Sequence, residues 1–199
     1  MSTQQCNIVL LGAPGSGKGT QAPKIMEKHG LFHISTGDMF RKEIASQSPI
    51  GLKAKGIIER GELCPDDVTL DMLNSFLSKL GECKGYILDG VPRTLEQSHM
   101  MDGINYNKPI SISKVIYIKI EEEEIIKRIL KRAAELGRTD DTPEVAKNRT
   151  AQYFKLTHPL IEYYQKQGKL VEINGMQTID EVFADICKAL DKLQLTIDN

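Results

Sequence analysis

The sequence predicts an α/β fold in which a five-stranded parallel β-sheet carries helices on both of its faces. Apolar runs of strand length alternate along the 199 residues with amphipathic stretches of helical length, the order that parallel strands and crossover helices require. The run at residues 113–120 is almost continuously apolar at its centre, as expected of a strand covered on both faces. No linker rich in Pro, Gly or Ser divides the chain, so we expect residues 1–199 to form a single domain.

A glycine-rich loop joins the first predicted strand, residues 8–11, to a predicted helix at residues 18–29. The loop reads GAPGSGKGT and matches the phosphate-binding template G-x-x-x-x-G-K-S/T up to Lys18. Gly19 occupies the position where the template has the Ser or Thr that binds Mg²⁺, and Thr20 follows one position later. Backbone N–H groups of such a loop bind phosphate, and Lys18 adds a cation for the β- and γ-phosphates of a nucleotide. The alternative is a glycine-rich turn with a solvated lysine, but the flanking strand and helix favour a nucleotide site.

The next two strands are predicted at residues 31–34, as a short buried strand, and at residues 86–89. The sequence Ser-Thr-Gly-Asp at residues 35–38 follows the second strand and caps a helix. Helices predicted at residues 49–61 and 65–80 come before the third strand. Because these helices lie between two strands of the sheet, we expect them to form an insertion outside it.

Asp89 ends the third predicted strand. A carboxylate at a strand end beside a phosphate-binding loop can hold Mg²⁺ indirectly, through water. The alternative is an aspartate that only caps the following turn. We expect Asp89 to be the metal-associated residue of the site.

The second half of the chain continues the alternation. We expect strands at residues 113–120 and 170–173 and helices at residues 121–133, from Thr142 through Tyr153, and from Thr178. In parallel sheets of this kind, ligands bind at the carboxyl ends of the strands. The glycine loop and the segments that follow the second, third and fifth strands can therefore converge on one cleft.

Charge and composition indicate no nucleic-acid or membrane partner. The chain has 26 Lys and Arg against 27 Asp and Glu, and it contains no apolar run long enough to span a bilayer. No signal-peptide core follows Met1, and the four cysteines are scattered without a CxxC pair. We therefore expect a cytoplasmic, monomeric protein with reduced cysteines and small-molecule partners.

Six arginines lie in segments that can face the predicted cleft. A single arginine is more often a solvated surface charge, but six near one phosphate site indicate phosphoryl-transfer chemistry. That chemistry depends on alignment and on cations that neutralise phosphate oxygens, and arginine binds phosphate through two parallel hydrogen bonds. The six are Arg41, Arg93, Arg128, Arg132, Arg138 and Arg149.

Four motifs, in this order, resemble those of adenylate kinases. They are GAPGSGKGTQ, ISTGDM with Arg41, DGVPRT with Gln97, and GRTDD followed by Arg149. In this family Gly and Thr are usual at the positions of Gly19 and Thr20, whereas Val91 replaces an aromatic residue. The resemblance extends from the first strand to the last helix and implies a P-loop NTPase fold. It also implies Mg²⁺-dependent, direct in-line transfer in the reaction ATP + AMP ⇌ 2 ADP.

The resemblance also implies a role for individual residues. The ATP phosphates would contact Gly15, Ser16, Gly17, Lys18, Gly19 and Thr20, with Arg128 and Arg132 against the ATP and the backbone of Gln177 near its adenine. AMP would contact Thr36, Arg41, Glu62, Leu63, Cys64, Gly90, Val91, Pro92, Arg93 and Gln97, with Arg138 and Arg149 bridging the two phosphate chains. The catalytic cations would be Lys18, Arg93, Arg132, Arg138 and Arg149.

Two segments would cover the nucleotides in such an enzyme. Residues 35–64 correspond to an AMP-binding insertion, and residues 131–141 correspond to a short lid. Only five residues separate Arg132 from Arg138, and no Cys or His lies between Arg128 and Arg149. We therefore expect a lid without a zinc site.

Three alternatives are open at this stage. A UMP/CMP kinase would share the fold and mechanism, but such kinases typically carry Ala in place of Thr36 and Asn in place of Thr94. A GTP-binding switch protein would require Ser or Thr directly after Lys18, a DxxG motif and an NKxD motif, and the sequence has Gly, DGVP and NKPI there. A non-catalytic nucleotide-binding module is the third, and the full set of arginines argues against it.

Overall fold

The structure, a computed structural model, describes residues 5–81, 83–104, 109–137 and 141–197. Its centre is a five-stranded, all-parallel sheet in the order β2-β3-β1-β4-β5, which confirms the predicted α/β fold class. The strands are β1 (Ile8–Leu11), β2 (Phe32–Ser35), β3 (Tyr86–Asp89), β4 (Lys114–Lys119) and β5 (Leu170–Asn174).

Helices connect the strands and cover both faces of the sheet. They are α1 (Lys18–His29), α2 (Thr36–Ala45), α3 (Pro49–Glu59), α4 (Asp66–Leu77), α5 (Leu95–Met101), α6 (Glu122–Leu136), α7 (Pro143–Gln152), α8 (Pro159–Lys166) and α9 (Ile179–Ile197). A π-helical segment, Tyr153–Thr157, joins α7 to α8. Within the described ranges, no helix is long and apolar enough to cross a bilayer.

Alternate residues of β1 supply the two halves of the main core. Val9 and Leu11 pack on one face with α8 side chains such as Leu160, whereas Ile8 and Leu10 pack on the other face with Ile25 of α1. All four strand residues are at most 2% exposed. Because both faces of the central strands are buried, successive residues in these strands are apolar.

The prediction of a buried second strand is only partly correct. β2 is shifted by one residue, and it is an edge strand that pairs with β3 alone. Ile34 is buried, but Phe32 is 41% exposed and lies against Phe76 of α4, with 6.0 Å between the ring centroids. An edge strand has one uncovered side, so its apolar residues cannot all be enclosed.

The strand register brings the predicted site segments to one edge of the sheet. Leu10 pairs with Asp89, and Asp89 pairs with Ser35 on its other side. The glycine loop after β1, the turn after β3 and the start of α2 therefore lie side by side at the carboxyl ends of the strands.

The segment between β2 and β3 has a small core of its own. Phe40 of α2, Ala54 of α3, Cys64 and Met72 of α4 are all at most 7% exposed and form a cluster separate from the sheet core. α2 and α3 are thus joined by apolar contacts of their own. α4, which the sequence also placed outside the sheet, instead packs on the sheet core as well, through Leu70 and Leu73.

Candidate active site

One cleft of about 970 Å³ opens at the carboxyl ends of the strands. Its size is at the upper end of the range for small-molecule sites, which allows more than one nucleotide-sized ligand. Its walls include the glycine loop, the insertion, the turn after β3, α6, α7 and the segment after β5. The segments that the sequence placed at one cleft are therefore brought together.

The glycine loop has the backbone geometry of an anion site. Gly17 caps α1 in the left-handed conformation (φ 99°), and a Cβ at this position would meet no atom within 4 Å. At Gly15 a Cβ would lie 2.9 Å from Arg128 Cβ, so the loop packs closely on α6. Backbone N–H groups at the start of α1 are left to bind an anion in the open space beside Gly17.

Lys18 lies inside this loop. Its Nζ donates hydrogen bonds to the carbonyl oxygens of Gly12 and Ala13, both at 2.9 Å. Loss of hydration lowers the pKa of Lys18 to about 8, with Asp89 opposing that change and Arg93 and Arg132 adding to it. The ammonium is thus held in place and is poorly solvated, so an incoming phosphate would stabilise its charged form.

Asp89 lies close to the loop and is ionised. Burial alone raises the pKa of its carboxyl, but His33, Lys18 and Arg93 together outweigh burial and lower it below the usual value. His33 Nε2 is 3.8 Å from Asp89 Oδ2, which is within ion-pair range but beyond a hydrogen bond. A Cβ on Gly19 would lie 3.9 Å from the same oxygen, so Asp89 faces the start of α1.

Arg93 occupies the middle of the cleft among other cations. Its side chain is open to the cleft, yet the surrounding walls reduce its hydration. This loss of hydration lowers its pKa, Asp89 opposes the change, and the charges of Arg149, Arg41 and Arg132 lower it further. The like charges of Arg93 and these three arginines repel one another, and a bound polyphosphate would relieve that repulsion.

A buried carboxylate holds two of these arginines. Asp141 Oδ2 accepts hydrogen bonds from Arg132 Nε at 2.9 Å and from Arg132 Nη2 at 2.7 Å. Its other oxygen, Oδ1, accepts from Arg132 Nη2 at 2.9 Å and pairs with Arg149 Nη1. The Asp141 side chain is fully buried, while those of Arg132 and Arg149 are 28% and 17% exposed. Arg138, predicted to bridge the phosphate chains, lies outside the described residues.

The half of the cleft near α6 contains the residues predicted for ATP. Arg128 Nη1 donates to the Gly175 carbonyl at 3.0 Å and thereby ties α6 to the segment after β5. Gln21, at 2% exposure, donates from Nε2 to the Ile179 carbonyl at 2.9 Å and ties α1 to the same region. The cleft here is lined by Gly15, Ser16, Gly17, Lys18, Gly19, Thr20, Arg128, Arg132 and Gln177.

The other half of the cleft contains the residues predicted for AMP, with one exception. Thr36 donates from Oγ1 to the Gly90 carbonyl at 2.9 Å, and Arg41 pairs with Asp38 at 2.5 Å. The lining includes Thr36, Arg41, Glu62, Leu63, Cys64, Gly90, Pro92, Arg93, Gln97 and Arg149. Val91 is 1% exposed and packs in the sheet core, so its side chain does not line the cleft.

Gln97 is held at both ends of its amide. Its Oε1 accepts from the backbone N–H of Arg93 at 2.6 Å, and its Nε2 donates to Asp66 Oδ1 at 2.8 Å. Asp66 also accepts from Thr94 Oγ1 at 3.0 Å. Reasoning from sequence assigned no site role to Asp66, Asp141 or Gln21. Gln21 and Asp141 lie inside the GAPGSGKGTQ and GRTDD motifs, but each of the three contacts another protein group and not a predicted ligand.

Comparison with known proteins agrees with this geometry. The family model described as adenylate kinase matches residues 10–169. A Bacteroides fragilis protein named adenylate kinase is 45% identical over 187 residues, covering 94% of this chain and 99% of its own. Proteins of the same name from Bacteroides thetaiotaomicron (43%, covering 94% and 99%) and Nitrobacter hamburgensis (40%, covering 93% and 92%) are also similar. The glycine loop, the arginine-lined cleft and these matches together place the chain in the adenylate kinase family.

Proposed function

We propose that the cleft binds ATP in its α6 half and AMP in its insertion half, and aligns them for direct in-line phosphoryl transfer. The observation that carries this proposal is that three helices and the turn after β3 bring four cations to one cleft: Lys18, Arg93, Arg132 and Arg149. Phosphoryl transfer requires little covalent chemistry from the protein, so alignment and electrostatic stabilisation account for most of the catalysis.

The two halves of the cleft have different tasks in this proposal. The α1 N-terminus and Lys18 bind the β- and γ-phosphates of ATP, and Arg128 and Arg132 lie along the donor. Arg41 and Arg93 hold the AMP phosphate, with Arg149 and Arg138 between the two phosphate chains. The charge that develops on the transferring phosphoryl group is then surrounded by fixed cations in a site of low hydration.

We propose that ATP enters with Mg²⁺, held through water by Asp89. The residues fit this role because Asp89 is an ionised carboxylate, 15% exposed, that is directed toward the start of α1. Among the described residues, no group of three His, Cys, Asp or Glu could hold a metal ion directly, which suits a cation bound mainly by phosphate and water. The metal would neutralise charge on the β- and γ-phosphate oxygens.

The chain is a phosphotransferase by its family, and the family does not favour the UMP/CMP kinase alternative. The acceptor pocket supports the same choice, since Thr36 and Gln97 are both buried there and offer polar groups to a base edge. A buried hydrogen-bonding site discriminates strongly because a wrong base leaves its polar groups unpaired.

The test is a panel of acceptors with ATP and Mg²⁺. We expect kcat/KM for AMP to exceed that for UMP and CMP by at least roughly a hundredfold, equivalent to ~2.7 kcal/mol. In the matched variant Gln97→Leu, the KM for AMP should rise much more than the KM for ATP. Equal use of UMP or CMP would contradict the AMP assignment, and no ADP production with any acceptor would favour a non-catalytic nucleotide-binding module.

The proposal includes a monomeric, cytoplasmic enzyme with two closing segments. The four cysteines are free, as expected in a reducing compartment. Residues 35–64 are the AMP-binding insertion, in which Phe40, Ala54 and Cys64 pack in one apolar cluster with Met72 of α4. Residues 131–141 are the short lid, which carries no zinc.

A further inference from the structure

Asp66 lies behind the acceptor half of the cleft and does not line it. It is the first residue of α4, its side chain is half-buried, and its Oδ1 receives hydrogen bonds from Gln97 Nε2 and Thr94 Oγ1. We propose that Asp66 fixes the orientation of the Gln97 amide and thereby determines which purine the acceptor pocket selects. This inference rests on the proposed function, which places the base of AMP beside Gln97.

The contacts define one orientation of the amide. An ionised carboxylate can only accept hydrogen bonds, so Asp66 requires the NH₂ end of Gln97. The Thr94 hydroxyl accepts from the Gln97 backbone N–H at 3.0 Å, so its own proton is directed to Asp66. At the other end, the Arg93 N–H requires the oxygen of Gln97. Rotating the Gln97 amide by 180° would place its oxygen against the Asp66 carboxylate and its NH₂ group against the backbone N–H of Arg93, and both contacts are repulsive.

The fixed amide leaves a specific pattern for a ligand. Gln97 is 2% exposed and lines the cleft, and its contacts with Asp66 and Arg93 use one of its two N–H groups and one of its two lone pairs. The remaining N–H and lone pair match adenine, whose N1 accepts and whose 6-amino group donates. Hypoxanthine has the reverse pattern, with N1–H as donor and O6 as acceptor. The fixed amide therefore selects AMP against IMP.

Asp66 is the side chain that makes this selection possible. The Arg93 contact uses a backbone N–H, which any residue other than proline would supply at that position. An asparagine at position 66 could accept from Gln97 in one orientation or donate to it in the other, so it would permit both orientations. The backbone N–H of Arg93 would then be the remaining restraint on the orientation of the Gln97 amide. The preference for AMP over IMP should therefore become weaker but not disappear.

The experiment compares AMP and IMP as acceptors for wild type, Asp66→Asn and Asp67→Asn. Asp67 is the matched control because it is the next residue of α4, it is exposed, and its carboxylate accepts from Val68 N in its own turn at 2.8 Å. We expect Asp66→Asn to lower the AMP:IMP ratio of kcat/KM about tenfold while the KM for ATP stays unchanged. Asp67→Asn should leave the ratio within about twofold of wild type.

The outcomes separate the inference from the proposed function. If Asp66→Asn lowers kcat/KM equally for AMP and IMP, the AMP:IMP ratio stays unchanged. That result would overturn the inference and show that Asp66 has only a structural role. Asp66→Ala provides a second test if the Asn variant does not fold, because it also removes the acceptor and should lower the same ratio. A wild-type enzyme that uses IMP as well as AMP would overturn the inference and leave the proposed function intact, because AMP would still be an acceptor. A wild-type enzyme that uses neither would instead contradict the proposed function.

Discussion

At the scale of single residues, the site concentrates positive charge where hydration is poor. Lys18 titrates near pH 8, and the pKa of Arg93 is also lowered, because both have lost hydration and have cationic neighbours. The fold tolerates this arrangement in part because Asp89 and Asp141 lie among the cations. In the proposed complex a polyphosphate ligand would supply the remaining negative charge, so we expect these residues to contribute more to turnover than to stability.

We expect Lys18→Ala and Arg93→Ala each to lower kcat about a thousandfold, a loss of ~4 kcal/mol of transition-state stabilisation. Each variant removes a cation from the transferring phosphoryl group. The measurement is coupled ADP production at saturating ATP and AMP, with folding checked by circular dichroism. Lys24→Ala and Lys188→Ala are matched controls, since these cations pair with Asp180 and Asp185 and none of the four residues lines the cleft. Near-normal turnover in either test variant would contradict the model of the cleft.

The sequence predicted the cleft cations because each belongs to a local pattern, such as the glycine loop around Lys18 or the strand-end motif with Arg93. The sequence did not predict the two aspartates, Asp141 and Asp66, that hold cleft residues in position. Asp141 is nine residues from Arg132 and eight from Arg149, and Asp66 is 31 residues from Gln97. Such pairings depend on tertiary packing. Asp141 lies in the GRTDD motif, but that motif does not show which arginines Asp141 holds, and Asp66 lies in none of the four motifs.

At the scale of elements, Asp141 connects two helices that form one side of the cleft. Arg132 belongs to α6 and Arg149 to α7, and the same buried carboxylate fixes both. The helices pack through a small cluster that includes Ile125, Ile129 and Ala146. The polar contact therefore sets the positions of the guanidinium groups, while the apolar cluster sets the distance between the helices.

Asp141→Asn tests this connection. The change keeps the shape of the side chain but removes the charge, so two partly buried arginines lose their common anion. We expect unfolding in urea to show a loss of about 1–3 kcal/mol, and kcat to fall at least about tenfold because both cations lose their alignment. The control Glu162→Gln breaks the exposed pair with Lys166 and should change stability by less than about 1 kcal/mol. Unchanged stability and turnover in Asp141→Asn would show that Asp141 does not align Arg132 and Arg149.

The elements that the sequence missed are short or poorly separated. α5 has only seven residues, too few to establish a helical period, and it was not predicted. The predicted helix through Tyr153 ends as an α-helix at Gln152, and a π-helical segment leads directly into α8, which was also missed. By contrast, long periodic segments such as α9 and strongly apolar ones such as β4 were predicted within a few residues.

At the scale of the whole molecule, the insertion meets the other wall of the cleft. Asn148 of α7 donates from Nδ2 to the Arg60 carbonyl at 2.5 Å, close to the end of α3. A Cβ on Gly61 would lie 3.0 Å from the Val145 carbonyl, so the loop after α3 packs directly on α7. The loop after α3 and α7 therefore touch across the cleft, and this contact must separate for the acceptor side to open.

Opening and closing of this kind is expected from the chemistry, because water must be kept from the γ-phosphate while ADP must leave. We predict that a two-substrate analogue, in which adenosine groups are joined by a polyphosphate, protects backbone amides in residues 35–64 and 131–141 from hydrogen exchange. The analogue would contact both walls and favour the state in which the loop at Gly61 lies on α7. Amides of β4 are the internal control, since the buried centre of this strand should exchange slowly with or without ligand. Unchanged exchange in both segments, with saturating analogue shown by calorimetry, would mean that the cleft binds its substrates without closing.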